Sequence, residues 1–132
     1  MPYLLDTNIV SDLVHHPQGR VAARIAQSGD EKVATSIIVA SEMRYGAARK
    51  KSARLSAQLE TILGALEILP LETPVDRYYG ELRARLESAG KPISANDMLI
   101  AAHALALDYT FVTDNGREFS RIKGLRVENW LR

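Results

Sequence analysis

Short apolar runs separated by longer segments of helical periodicity limit most strongly what this chain can fold into. The runs are Tyr3–Leu5, Lys32–Ser36, Glu67–Leu71, Tyr109–Thr113 and Leu125–Glu128. Each is too short for its period to separate strand from buried helix, so the segments between them decide. Leu55, Leu59, Ile62, Leu63 and Leu66 fall on one helical face, and Val75, Tyr79, Leu82 and Leu86 on another. The second stripe carries its own punctuation: Thr73 as N-cap, Pro74 at the first helical position, Asp76 in the first turn and Gly90 past the end, with Pro92 to block resumption. Ser94 can cap a helix over Ala95–Leu107, and Ile37–Lys50 reads as another. Strands alternating with helices predict an α/β fold, a mainly parallel sheet of four to five strands covered on both faces. A chain of 132 residues suits one domain, 1–132.

In open sheets of this kind, sites form beyond the carboxyl ends of the strands, where the strand order reverses. Asp6 and Asp114 follow directly on predicted strands, and with Glu42 and Asp97 they form a set of acidic candidates. Singly, each has an ordinary structural role open to it. Asp6 can cap the helix that follows. Asp97, three residues after Ser94, can complete a variant capping box. Asp114 sits in Thr113-Asp114-Asn115-Gly116, which is good turn chemistry. Glu42 lies in the mostly apolar segment Ile37–Met43 and shares a face with Ile38 and Tyr45. An unpaired carboxylate there is costly and calls for a cation, either an arginine or a metal.

Taken together, the carboxylates suggest a purpose. Hard divalent cations such as Mg²⁺ prefer carboxylate oxygens. Bare carboxylates repel the phosphates of a nucleic acid, so cations must lie between the two. One ion can activate a water while another stabilises the leaving oxygen.

The remaining composition narrows the field. The absence of cysteine excludes a disulfide scaffold, a thiolate metal site and a cysteine nucleophile, and suits a reducing cytoplasm. No basic-then-apolar leader opens the sequence, and no run reaches the length of a membrane span. The formal charge of +1 is too small for binding nucleic acid by bulk electrostatics, so local patches and bound cations must handle phosphates. Arg49, Lys50, Lys51 and Arg54 form one such patch, with a solvated helix end as the alternative. Arg117, Arg121, Lys123 and Arg126 form a second, for RNA or a protein partner. Arg44 can either approach Glu42 or contact phosphate. His15 and His16 are expected in a loop before Pro17 and His103 packed within its helix, none with metal-ligand spacing. The Leu55–Leu66 stripe reads as core.

At this point the sequence resembles a known family. Leu5-Asp6-Thr7-Asn8 looks like the opening motif of PIN domains, and Ser41-Glu42-Met43-Arg44-Tyr45-Gly46-Ala47 like their second. Ser94-Ala95-Asn96-Asp97 with the helix to Ala104 is similar to their third. Phe111-Val112-Thr113-Asp114-Asn115 with Glu118-Phe119 resembles their last, and Gly124–Trp130 resembles the ending of the VapC branch. The motifs occur in family order across almost the whole chain.

The resemblance implies a three-layer α/β/α domain. It implies Mg²⁺ or Mn²⁺ held by Asp6, Glu42, Asp97 and Asp114, and hydrolysis of an RNA phosphodiester by an activated water. Because the last motif varies within the family, Asp114 acts either directly or through water, and Glu118 can share its work. Thr7, Asn8, Ser94, Asn96, Thr113 and Asn115 are then candidates to orient the carboxylates or bound water. The resemblance further implies a toxin inhibited by a cognate antitoxin, a homodimer, contact with DNA only through that antitoxin, and a structured RNA such as tRNA as substrate. Part of the Leu55–Leu66 region then becomes a groove for an antitoxin helix.

Other activities compete. An aspartyl phosphohydrolase would use Asp6 as nucleophile, but the usual second Asp two residues later is replaced by Asn8. A phospho-receiver lacks its acidic pair. A PIN-like module that only binds RNA would not need all four acidic positions filled.

Overall fold

The computed structural model describes residues 1–132. Five strands, β1 (Tyr3–Leu5), β2 (Val33–Ser36), β3 (Glu67–Leu69), β4 (Thr110–Val112) and β5 (Val127–Glu128), form one sheet in the order β3-β2-β1-β4-β5. Every pairing is parallel. The central strands are buried throughout, which is why Tyr3–Leu5 and Thr110–Val112 read as continuous apolar runs rather than alternating ones. Leu4, Leu5, Phe111 and Val112 are wholly inaccessible and sit in the main hydrophobic cluster.

Seven helices surround the sheet: α1 (Thr7–His15), α2 (Arg20–Gln27), α3 (Ile37–Lys50), α4 (Ala53–Ala65), α5 (Val75–Ser88), α6 (Ala95–Leu107) and α7 (Gly116–Phe119). The result is a three-layer α/β/α arrangement, with α1 packed on α2, α3 and α4, and α5 packed on α6. Helix α6 is apolar almost all round, with Met98, Ile100, Ala101, Ala102, His103 and Ala104 buried, as a central helix must be. Serines start three of the helices. Ser36 Oγ accepts from the Ile38 N–H, Ser52 Oγ from Leu55 and Ser94 Oγ from Asp97.

Several boundaries depart from the sequence reading. The third strand stops at Leu69, and Leu71 lies outside it against the core. Thr73 does not cap α5. Pro74 occupies the cap position without a side-chain hydrogen bond, and the Val75 N–H turns back to the Glu72 carbonyl instead. Gly90 does follow the end of α5, with φ +69, a conformation that glycine adopts without steric cost. His15 is not in a loop but closes α1, its ring Nδ1 2.9 Å from the Ser11 carbonyl. Helix α2 was not anticipated in the sequence, although Val21, Ala22 and Ile25 fall on one face and pack on the core. Its single fully buried residue is Val21, while Arg20, Ala23, Ala26 and Gln27 are exposed. No helix is long and apolar enough to cross a membrane.

Candidate active site

From β1 the chain crosses to β2 on one side and later returns to β4 on the other. The crevice beyond the carboxyl ends of β1 and β4 is therefore the point where the strand order reverses. Asp6 directly follows β1 and Thr113 directly follows β4, and the Thr113 hydroxyl donates to Asp6 Oδ2 at 2.7 Å across that crevice. Asp6 Oδ1 accepts from the Thr7 N–H at 2.8 Å. Asp6 thus occupies the N-cap of α1 and the crevice at once, so its capping and site roles are not exclusive.

Only 4% of Asp6 is exposed. Burial pushes its carboxyl up to about 6; the hydrogen bonds from Thr113 and Thr7 oppose this, and the charges of Asp97 and Glu42 add to it. The Asp97 carboxyl is also raised, first by burial and then by Glu42 and Glu118, against a hydrogen bond with Ser94.

Glu42 projects from the second turn of α3. Its Oε1 accepts from Thr7 Oγ1 at 2.7 Å and its Oε2 from Asn96 Nδ2 at 3.4 Å. It is half-buried rather than sunk in an apolar face. The buried face of α3 is Val39, Ala40 and Ala47, while Tyr45 is 66% exposed. Arg44 does not neutralise Glu42; it pairs with Glu60 on α4.

Asp114 is placed differently. Its Oδ1 accepts from Asn129 Nδ2 at 3.0 Å and Arg132 Nε at 3.3 Å, and its N–H donates to Asn8 Oδ1 at 3.1 Å. The Asn129 hydrogen bond, with help from Arg132, holds its carboxyl below the usual range. The charges of Asp97 and Glu42 act on Asp6, and those of Glu42 and Glu118 act on Asp97; Asp114 is not among them. Glu118 accepts from Asn115 Nδ2 at 2.6 Å, and the Asn115 N–H donates to Thr113 Oγ1 at 3.0 Å. The fold therefore brings Asp6, Glu42 and Asp97 together, sets Glu118 at the margin, and turns Asp114 towards Asn129 and Arg132. Asn129 lies within the Gly124–Trp130 ending singled out in the sequence, but without a role, and Arg132 lies outside every motif.

None of Asp6, Glu42 and Asp97 has an ion-pair partner. As they stand, no three acidic or histidine side chains converge closely enough to chelate one ion. The chemistry of the set nevertheless suits a hard divalent cation: carboxylate oxygens only, mutually repelling, with no arginine or lysine to compensate them. His103 stays outside this set. It is buried on α6, its Nδ1 is 2.9 Å from Ser36 Oγ, and burial pushes its pKa down.

Comparison with known proteins adds a second line of observation. The sequence model described as PIN domain matches residues 3–125. The chain is 41% identical over 132 residues to Ribonuclease VapC2 of Rickettsia felis, covering 98% of each. It is 30% identical over 131 residues to the tRNA(fMet)-specific endonuclease VapC of Shigella flexneri, again covering 98% of each. The crystal structure of VapBC2 from Rickettsia felis, bound to a DNA fragment from their promoter, aligns with a TM-score of 0.93 at 38% identity. That alignment covers 98% of this chain and 99% of that one.

Proposed function

Given that the chain belongs to the PIN-domain family, we propose that it is a metal-dependent endoribonuclease toxin of the VapC type, held in check by a cognate antitoxin. It hydrolyses RNA phosphodiester bonds. The observation that carries this reading is the crowding of Asp6, Glu42 and Asp97 at the switch-point crevice without any cationic side chain. A site of that kind meets phosphate only through bound cations. When bound, Mg²⁺ or Mn²⁺ would supply Lewis acidity towards a phosphate oxygen and a water.

The chain's own residues hold the carboxylates for that task. Thr113 and the Thr7 N–H fix Asp6, while the Thr7 hydroxyl and Asn96 orient Glu42. Ser94 fixes the first turn of α6 and with it Asp97. We assign Asp6, Glu42 and Asp97 as ligands. Asp114 would join them through water, because it is turned to Asn129 and Arg132 and its charge is not among those acting on Asp6 and Asp97. Asn8 and Asn115 tie the Asp114 turn and Glu118 to the same crevice.

The Shigella flexneri relative is named for tRNA(fMet), which favours a tRNA loop as substrate here. The VapBC2 neighbour favours a VapB-like antitoxin as partner, with DNA met only through it. A homodimer of single-domain protomers in the cytoplasm completes the reading. The aspartyl-nucleophile alternative fits poorly, since the second acidic position it needs is Asn8, whose Oδ1 accepts from the Asp114 N–H.

The test is cleavage of a total small-RNA pool by the purified protein. It is run with Mg²⁺ or Mn²⁺, with chelator, and beside Asp97→Asn. Discrete metal-dependent cuts that vanish in the variant support the reading. RNA that is bound but left intact in every metal would make the protein a binding module.

A further inference from the structure

Away from the carboxylate crevice, a groove of about 620 Å³ runs between α5 and the segment that follows α7. Arg85, Lys91, Arg121 and Lys123 line it, all exposed and none ion-paired. Two carboxylates also line it, Glu81 and Asp108, but Asp108 is taken by Arg126 at 3.0 Å. One free carboxylate thus faces four cations, in a chain whose formal charge is only +1. The floor is apolar, built from Leu82, Leu86, Leu105 and Ile122, with the ring of Tyr78 39% exposed at its side.

The chain links this groove to the carboxylate crevice at two points, although no residue that lines it belongs to the crevice. Lys91 lies in the turn between α5 and α6, just ahead of Ser94 and Asp97. The Arg121 N–H donates to the carbonyl of Glu118, whose charge reaches Asp97. A basic rim over an apolar floor with an exposed aromatic ring is the chemistry that holds an unpaired nucleic-acid strand. Cations track the backbone and base faces lie on the floor. A duplex hides its base faces and has no use for such a floor.

We propose that this groove carries the single-stranded flank of the RNA substrate away from the cleavage site, with Arg85, Lys91, Arg121 and Lys123 on its phosphates. The proposal rests on the nuclease reading above, but its test does not need cleavage.

A short fluorescein-labelled single-stranded RNA is titrated with the full chain in chelator, and anisotropy is followed over a range of salt. The double variants Arg85→Ala/Lys91→Ala and Arg121→Ala/Lys123→Ala should each bind at least about tenfold more weakly. Each should lose roughly 1.4 from the slope of log affinity against log salt, the share of two phosphate contacts. The swap Arg121→Lys/Lys123→Arg should keep both affinity and slope, which separates charge from folding. Unchanged affinity and slope in both alanine pairs would overturn the proposal. So would loss of binding to a polyglutamate peptide with RNA binding intact, which would make the groove a seat for an acidic protein segment. Failure of cleavage in the small-RNA assay with groove binding intact would count against the nuclease reading alone.

Discussion

The Asp6 carboxylate must carry charge where burial and two neighbouring acids disfavour it. Its pKa of about 6 in the folded protein lies above the ordinary 3.8. The folded state therefore binds this proton more tightly than the unfolded chain does. The stability this contributes is fully present below 3.8 and is lost as pH rises through about 6. At neutral pH the metal-free protein should be short of roughly 2–3 kcal/mol on account of Asp6, and Asp97, raised in the same sense, adds to the deficit. Melting curves in chelator should fall between about pH 4 and pH 7, and the fall should shrink in Asp6→Asn. A flat profile in the unsubstituted protein would contradict this placement of Asp6. Asp114 should behave otherwise, because Asn129 and Arg132 already compensate it. Asp97→Asn should abolish cleavage, whereas Asp114→Asn should cost only about 10–100-fold, the range of a group acting at one remove. Equal losses in single-turnover rates would place Asp114 directly on the ion.

The elements act by holding side chains from distant parts of the chain in one place. Thr7 at the start of α1 reaches Glu42 on α3, and Thr113 beyond β4 reaches Asp6. Ser94 should matter twice at this scale. Ser94→Ala should lower stability by about 1 kcal/mol through loss of the α6 cap, and should slow cleavage as the first turn carrying Asp97 loosens. Denaturant unfolding and a rate assay on the same sample test both. Of the elements, α3 and α6 were legible in place, α6 because Ser94 can cap it and apolar residues run its length. Strands were legible in place but not in length. A run such as Glu67–Leu71 stays apolar after its ladder pairing ends at Leu69. Thr73 misled because N-capping depends on backbone geometry that composition does not encode. The carboxylates themselves were legible as a set. Their partners were not: hydrogen bonds such as Thr7 to Glu42 join residues far apart in sequence. The turning of Asp114 towards Asn129 and Arg132 depends on how β5 and the residues after it lie against the β4 loop.

At the scale of the whole molecule, a parallel sheet buried on both faces places the ends of β1 and β4 together and leaves the acidic crevice above them. The modest net charge conceals a division of labour. Negative charge gathers at the crevice and unpaired positive charge lines the groove beside α5. On the proposed reading, bound cations would reverse the sign of the crevice, so that one RNA strand would meet favourable charge at both. The central claim is that Asp6, Glu42 and Asp97 hold a divalent ion, and it can be measured without any RNA. Mn²⁺ would be titrated calorimetrically into the metal-free protein and into Glu42→Gln and Asp97→Asn. The account predicts saturable binding to the unsubstituted chain and at least about tenfold weaker binding in both variants. Binding of unchanged affinity in either variant would contradict it.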